Sequence, residues 1–226
     1  LVLFVATLLF FREPDGVPEA ERRTLGKVLR DAALVFGNGR FIGFLVIFTG
    51  FWVMFWQVYD LFPFYLRDVL HVERFELIAS LESFSVIFLT VPIAALMKKV
   101  RPVPQMTLGI GVGSCSWLLL VASQTWQAAA LAMFLLALGE VLQAPRYYEY
   151  VADLAPKEQV GTFMGFAFLP IALGALLAGP IGGLLLQKYL KETMQPAKAW
   201  TILSSLGFVS TLALLAYDRW VGKRAA

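Results

Sequence analysis

Apolar residues run through this chain in long blocks, without the strict alternation of strands or the one-sided spacing of soluble helices. Six blocks, at about 41–66, 76–97, 104–123, 127–152, 161–186 and 199–218, are long enough as helices to cross a hydrocarbon core of about 30 Å. Short polar connectors separate them. The opening block, residues 1–11, would rise only about 16 Å as a helix and reads as the end of a spanning helix that starts upstream. Residues 12–40 are charged, with Glu-Pro-Asp-Gly at 13–16. After it Leu25, Val28, Leu29, Ala32, Ala33 and Phe36 recur at helical spacing, while Arg22, Arg23, Lys27, Arg30 and Asp31 lie elsewhere around the wheel. That pattern predicts an amphipathic helix on a membrane surface. The expected organisation is therefore a helix end at 1–11, a cytoplasmic loop at 12–40, a six-helix bundle at 41–218 and a tail at 219–226.

Composition agrees with the blocks. With 59% hydrophobic and 15% charged residues, the chain is too apolar for a soluble domain, and an all-α polytopic membrane protein is expected. The net charge of +3 is read through the distribution of Lys and Arg. Thirteen fall in 12–40, 98–101, 157 and 219–224, and five (Arg67, Arg74, Lys188, Lys191 and Lys198) in the alternate connectors. This bias predicts cytoplasmic ends for the segment, in a cell membrane. The basic residues thus point to topology and not to nucleic acid. One cysteine, Cys115, and one histidine give no disulfide or metal spacing, and no nucleophile–base pair or phosphate loop suggests an enzyme or a cofactor.

Charge inside the blocks is costly, roughly 2.5–3.5 kcal/mol per group on insertion scales, so each such residue is a candidate. The stretch Gly139–Pro156 holds more of them than any other, Glu140, Arg146 and Glu149. On a helical wheel Glu140, Gln143 and Tyr147 share one face, and Arg146, Glu149 and Asp153 share another. Glu140 reads as a proton or substrate-charge site, or as an interhelical hydrogen bond. Arg146 and Glu149, three apart, read as a local pair or as a gate. Pro145 predicts a bend and frees the Val141 carbonyl. In the first block Trp52, Trp56 and Asp60 are spaced by four with Gln57 beside them, and Asp60 is read as a wetted helix end or a cavity group. Pro63 is expected to kink or end that helix. Glu82 is expected inside the bundle, with Ser85 on nearly the same side. Gly109, Gly111, Gly113 and Ser114 predict a closely packed helix.

A helix end, a long basic loop and six further spans resemble the second half of a twelve-helix major facilitator transporter. More specifically, Gly139-Glu140, Pro145, Val151, Leu154-Ala155-Pro156 and the run Met164-Gly165, Phe168-Leu169, Ala172, Gly174 and Ala178-Gly179 resemble helices ten and eleven of the proton-dependent oligopeptide transporters. FWVMFWQ at 51–57 is similar to that family's seventh helix, and Pro104–Gly109 to the start of its ninth. The resemblance implies an N-terminal six-helix half as partner, and a small-molecule substrate and protons moved across a lipid bilayer by alternating access. It also implies that Glu140 meets the peptide's amino end or couples protons. Several positions depart from the family. Trp56 stands where it carries an acid, Tyr147 and Glu149 replace small residues, Arg146 is added, and Glu82 falls near an Asn-Pro pair. Those aromatic replacements equally suit an exporter of drug-like or amphipathic compounds. A transporter-like subunit that anchors a complex is the third reading.

Overall fold

The computed structural model describes residues 35–225 continuously, and before them Phe4, Val5, Thr7, Phe10, Phe11, Gly26 and Ala33. The expected amphipathic face around Arg22 to Asp31 therefore lies largely outside the described residues. Among these, six helices are long and apolar enough to cross a membrane: α1 Gly39–Val69, α2 Phe75–Leu96, α3 Pro102–Ala122, α4 Trp126–Leu154, α5 Val160–Glu192 and α6, whose apolar part is Pro196–Val221. Each extends or trims the expected block by a few residues, because polar caps and wide turns finish helices that hydropathy truncates. Asn38 accepts the Phe41 N–H at 3.1 Å to start α1, and Thr125 accepts the Ala128 N–H at 3.3 Å to start α4. Helix α6 continues to Ala225, through most of the stretch read as a tail.

Two helices are interrupted. In α1 the regular helix stops at Phe55, resumes over Gln57–Asp60 and again over Phe62–Phe64, and ends in a π-wound turn at Tyr65–Val69. Pro63 does not end it; the irregularity at Leu61 comes just before the proline, which sits in the first turn of the next piece, where its missing N–H costs nothing. In α5 the break falls at Ala167–Phe168, just ahead of Pro170. By contrast α4 runs unbroken through Pro145.

Helices α3 and α4 form the most intimate pair. Gly109 and Gly113 lie directly on Gly139, so the backbones touch with no side chain between them. Helix α6 closes on α1 and α3 through Gly207, which lies under Ser114 and Met54, and through the Ser204 hydroxyl, which donates to the Ser114 carbonyl at 2.8 Å. Helices α1 and α5 run parallel, with Trp52 on Gly174 and Asp60 on Gly182. Helix α2 packs mainly on α4, and only 6% of its apolar window is buried. Its Leu81, Phe84, Ile87, Phe88 and Val91 are exposed, as suits contact with lipid or with other apolar helices.

Candidate functional site

Between α1, α2, α4 and α5 lies a cavity of about 440 Å³. Helix α1 supplies Trp52, Phe55, Trp56 and Tyr59, the i, i+3, i+4, i+7 positions of one helical face. Neighbouring rings in this stripe are in contact, with centroids 5.2 Å apart for Trp52–Phe55, 6.2 Å for Trp52–Trp56 and 5.4 Å for Trp56–Tyr59. Helix α2 contributes Glu82 and Ser83, helix α4 contributes Glu140, and α5 closes the site with Ile171. The two carboxyl groups come from different helices and are electrostatic neighbours. Glu82 is only 4% exposed and takes the Ser83 hydroxyl at 2.9 Å, so its hydrogen-bond partner is Ser83 and not Ser85. The Oε2 atom of Glu140 is buried without a hydrogen-bond partner. Among the described residues, no Lys or Arg lines this cavity.

The structure thus brings together Glu140, Glu82, Trp52 and Trp56 and places the other candidates elsewhere. Gln143 is fully buried against Gly109 with its amide atoms unpartnered. Tyr147 is buried beside Phe44 and Phe48, and its hydroxyl donates to the Ala167 carbonyl at 2.7 Å. Gln57 donates to the Ala178 carbonyl at 3.0 Å, and Trp56 donates through Nε1 to that of Ile171 at 3.2 Å. Three polar side chains that looked like cavity groups therefore hold the backbone of α5. Asp60 packs on Gly182, outside the cavity lining. Sequence reasoning missed Phe55, Tyr59 and Ser83. The aromatic period of the first block was the available signal.

A second cluster surrounds Arg146. Its Nε donates to Gln105 Oε1 at 2.9 Å, and Nη2 to the carbonyls of Met97 at 3.0 Å and Lys98 at 3.4 Å. Nη1 pairs with Glu149 at 2.5 Å. Gln105 in turn donates to the Leu142 carbonyl at 3.0 Å. One guanidinium therefore caps the carbonyl end of α2 and ties it to α3 and α4. Asp153 is exposed and gives this cluster no hydrogen bond. Arg146→Ala leaves the Gln105 oxygen and two carbonyls without their donor. Its expected cost is about 1–3 kcal/mol, whereas Glu149→Gln, at a half-exposed pair, should cost at most about 1 kcal/mol. Thermal unfolding in detergent compares the two; equal losses would remove the clamp assignment.

The fold and the site together define a polytopic membrane protein, a six-helix bundle with an aromatic cavity that holds two carboxyl groups. The chain belongs to the Major Facilitator Superfamily, whose family model matches residues 1–167 and 72–221. It is 27% identical over 195 residues to the multidrug resistance protein MdtH of Klebsiella pneumoniae (strain 342), covering 85% of this chain and 46% of that protein. To the protein of the same name in Aeromonas salmonicida (strain A449) it is 28% identical over 207 residues, covering 88% and 48%. The chain thus spans about half the length of the curated relatives it matches. Among solved structures, the nucleoside transporter NupG superposes with a TM-score of 0.79 at 15% identity, covering 96% of this chain and 57% of that one. The peptide transporter POT superposes at 0.67 and 18% identity, covering 98% and 44%. At these identities the superpositions define the fold: one half of the twelve-helix arrangement, in an integral membrane protein.

Proposed function

We propose that the chain forms half of a proton-coupled secondary transporter whose solute is a small amphipathic organic cation. The observation that carries this reading is the meeting of Glu82 and Glu140 opposite an aromatic stripe, in a cavity to which the described residues bring no basic side chain. Adjacent carboxylates repel one another, and a proton or a bound cation relieves that repulsion. Both ligands therefore compete for one pair of acids. Trp52, Trp56 and Tyr59 offer ring faces to an ammonium group, each such contact contributing about 0.5–2 kcal/mol. The exchange of charge at the pair biases which side of the membrane the two halves open toward. In this scheme Arg146 and Glu149 keep α2 seated on α4 while the halves rock, and exposed Asp153 is available to the other half. The name multidrug resistance protein borne by the relatives favours this solute class over peptides. Peptides remain the second reading because an amino terminus suits the same acids.

The test is flux in liposomes containing the complete transporter under an imposed pH gradient. Labelled phenylpropyl-trimethylammonium serves as probe. Unlabelled cation should suppress its flux, and the neutral tert-butyl isostere should not. Suppression by the isostere would sink the charge requirement, and suppression by dipeptides at lower concentration would favour the peptide reading.

A further inference from the structure

The cavity walls come from two groups of helices. The aromatic stripe stands on α1, which holds α5 through Trp56 on the Ile171 carbonyl and Gln57 on the Ala178 carbonyl. The two carboxyl groups stand on α2 and α4. A cation held by a carboxylate and a ring face together needs the ring centroid within about 6 Å of its charge. The distance from the stripe to the acids therefore governs what the site can hold.

Tyr147 is placed to set that distance. It lies two turns beyond Glu140 on α4, within about 20° of it around the wheel, and its hydroxyl crosses to α5 to donate to the Ala167 carbonyl at 2.7 Å. That carbonyl belongs to the break between the pieces Val160–Phe166 and Leu169–Leu185. Pro170 has no N–H to continue the ladder, and among the described residues no backbone N–H reaches the Ala167 carbonyl. Ala167 is fully buried. Its carbonyl therefore needs a donor, and the Tyr147 hydroxyl supplies one. One turn above stands Ile171, which lines the cavity and whose carbonyl accepts the Trp56 indole N–H at 3.2 Å. The connection thus runs from Glu140 along α4 to Tyr147, across to Ala167, along α5 to Ile171 and across to Trp56. Every link lies within this chain.

We infer that Tyr147 is a positioning residue for the solute: acting through the break in α5, its hydroxyl sets the gap between the Glu140 carboxyl and the face of Trp56, a role that rests on the reading of the cavity as a cation site. Tyr147 does not itself line the cavity. Its ring packs on Phe44 and Phe48, so Tyr147→Phe removes the hydroxyl and keeps that packing. Helix α5 can then shift with α1 against α4. Groups that act independently give additive effects on binding, whereas two that act through one gap do not.

The experiment measures equilibrium binding of labelled phenylpropyl-trimethylammonium to the complete transporter in detergent, for wild type, Tyr147→Phe, Trp56→Phe and the double variant. Tyr147→Phe should weaken binding by about fivefold, the worth of one hydrogen bond. In the Trp56→Phe background the same change should weaken it by less than about twofold. An equal loss in both backgrounds overturns the inference, and so does a Tyr147→Phe protein that loses thermal stability but binds as wild type does. A second measurement follows the ring itself. The proteins are labelled with 5-fluorotryptophan, and each fluorine signal is assigned by its disappearance in the matching Trp→Phe variant. In Tyr147→Phe the Trp56 signal should shift, while those of Trp117 and Trp200, stacked 4.8 Å apart on α3 and α6, stay in place. An unmoved Trp56 signal overturns the inference. Wild-type protein that binds no cation would instead defeat the cation reading, and the fluorine signal would still decide whether Tyr147 places Trp56.

Discussion

Replacing Gly139 by valine should prevent the bundle from packing, one of the largest stability effects expected among the described residues. A Cβ at this position would stand 2.6 Å from the Gly109 carbonyl oxygen, 2.7 Å from the Gly113 nitrogen and 2.9 Å from the Gly113 Cα. All three are backbone atoms, so no rotamer change relieves the clash. The helices must separate. Overpacking a well-filled core ordinarily costs about 1–3 kcal/mol, and more where the obstacle cannot move. Here separation also strips contacts from the most intimate helix pair and disturbs Glu140, the next residue along α4. Gly109→Val should act alike, since its Cβ would meet the Gly139 oxygen at 2.6 Å. Gly179→Ala is the control, with nothing within 4 Å of the added atom. Size-exclusion chromatography in mild detergent after expression distinguishes them. A monodisperse Gly139→Val protein with wild-type thermal stability would show that α3 and α4 are not packed as described.

The glycine contact also illustrates how far sequence carries in such a chain. Apolar block length gave the six spans because a bilayer demands about 20 apolar residues whatever the fold, and Gly109 and Gly113 announced a close helix approach. Which helix would approach them was not legible, because small residues occur in several spans. The same limit governs the site. Glu82 and Glu140 stood out as costly charges, yet nothing in their spacing indicates that they face one another, since tertiary packing alone brings α2 onto α4. The wheel puts Gln143 and Tyr147 on the face of Glu140, and the structure gives the three side chains different surroundings. A face that is continuous on one helix is divided among its neighbours: α2 meets it at Glu140, Gly109 of α3 at Gln143, and Phe44, Phe48 and the break in α5 at Tyr147. Tyr59 escaped notice because an aromatic near a helix end resembles an ordinary membrane-interface anchor.

Glu140→Gln should leave the fold intact and remove proton-driven flux. Glutamine keeps the shape of the side chain and a hydrogen-bonding oxygen, but it carries no charge and takes no proton. If Glu140 served only to bridge helices, this substitution would be nearly silent in transport. In the proposed mechanism it instead leaves Glu82 alone, and the pair can no longer exchange a proton for a cation. Proton-driven flux should then fall by about 5–150-fold, the range of a typical coupling free energy. Glu82→Gln should do the same. The double variant should be little worse than either single one, because residues that act as one unit are not additive. Stability should move the other way: removing one of two adjacent acids relieves repulsion and desolvation, so the midpoint of thermal unfolding should hold or rise. Activity lost together with stability would indicate that the variant has lost its fold and not a step of the cycle. Activity lost while stability is kept assigns the pair to the transport cycle, and undiminished proton-driven flux in the Glu140→Gln protein would exclude Glu140 from it.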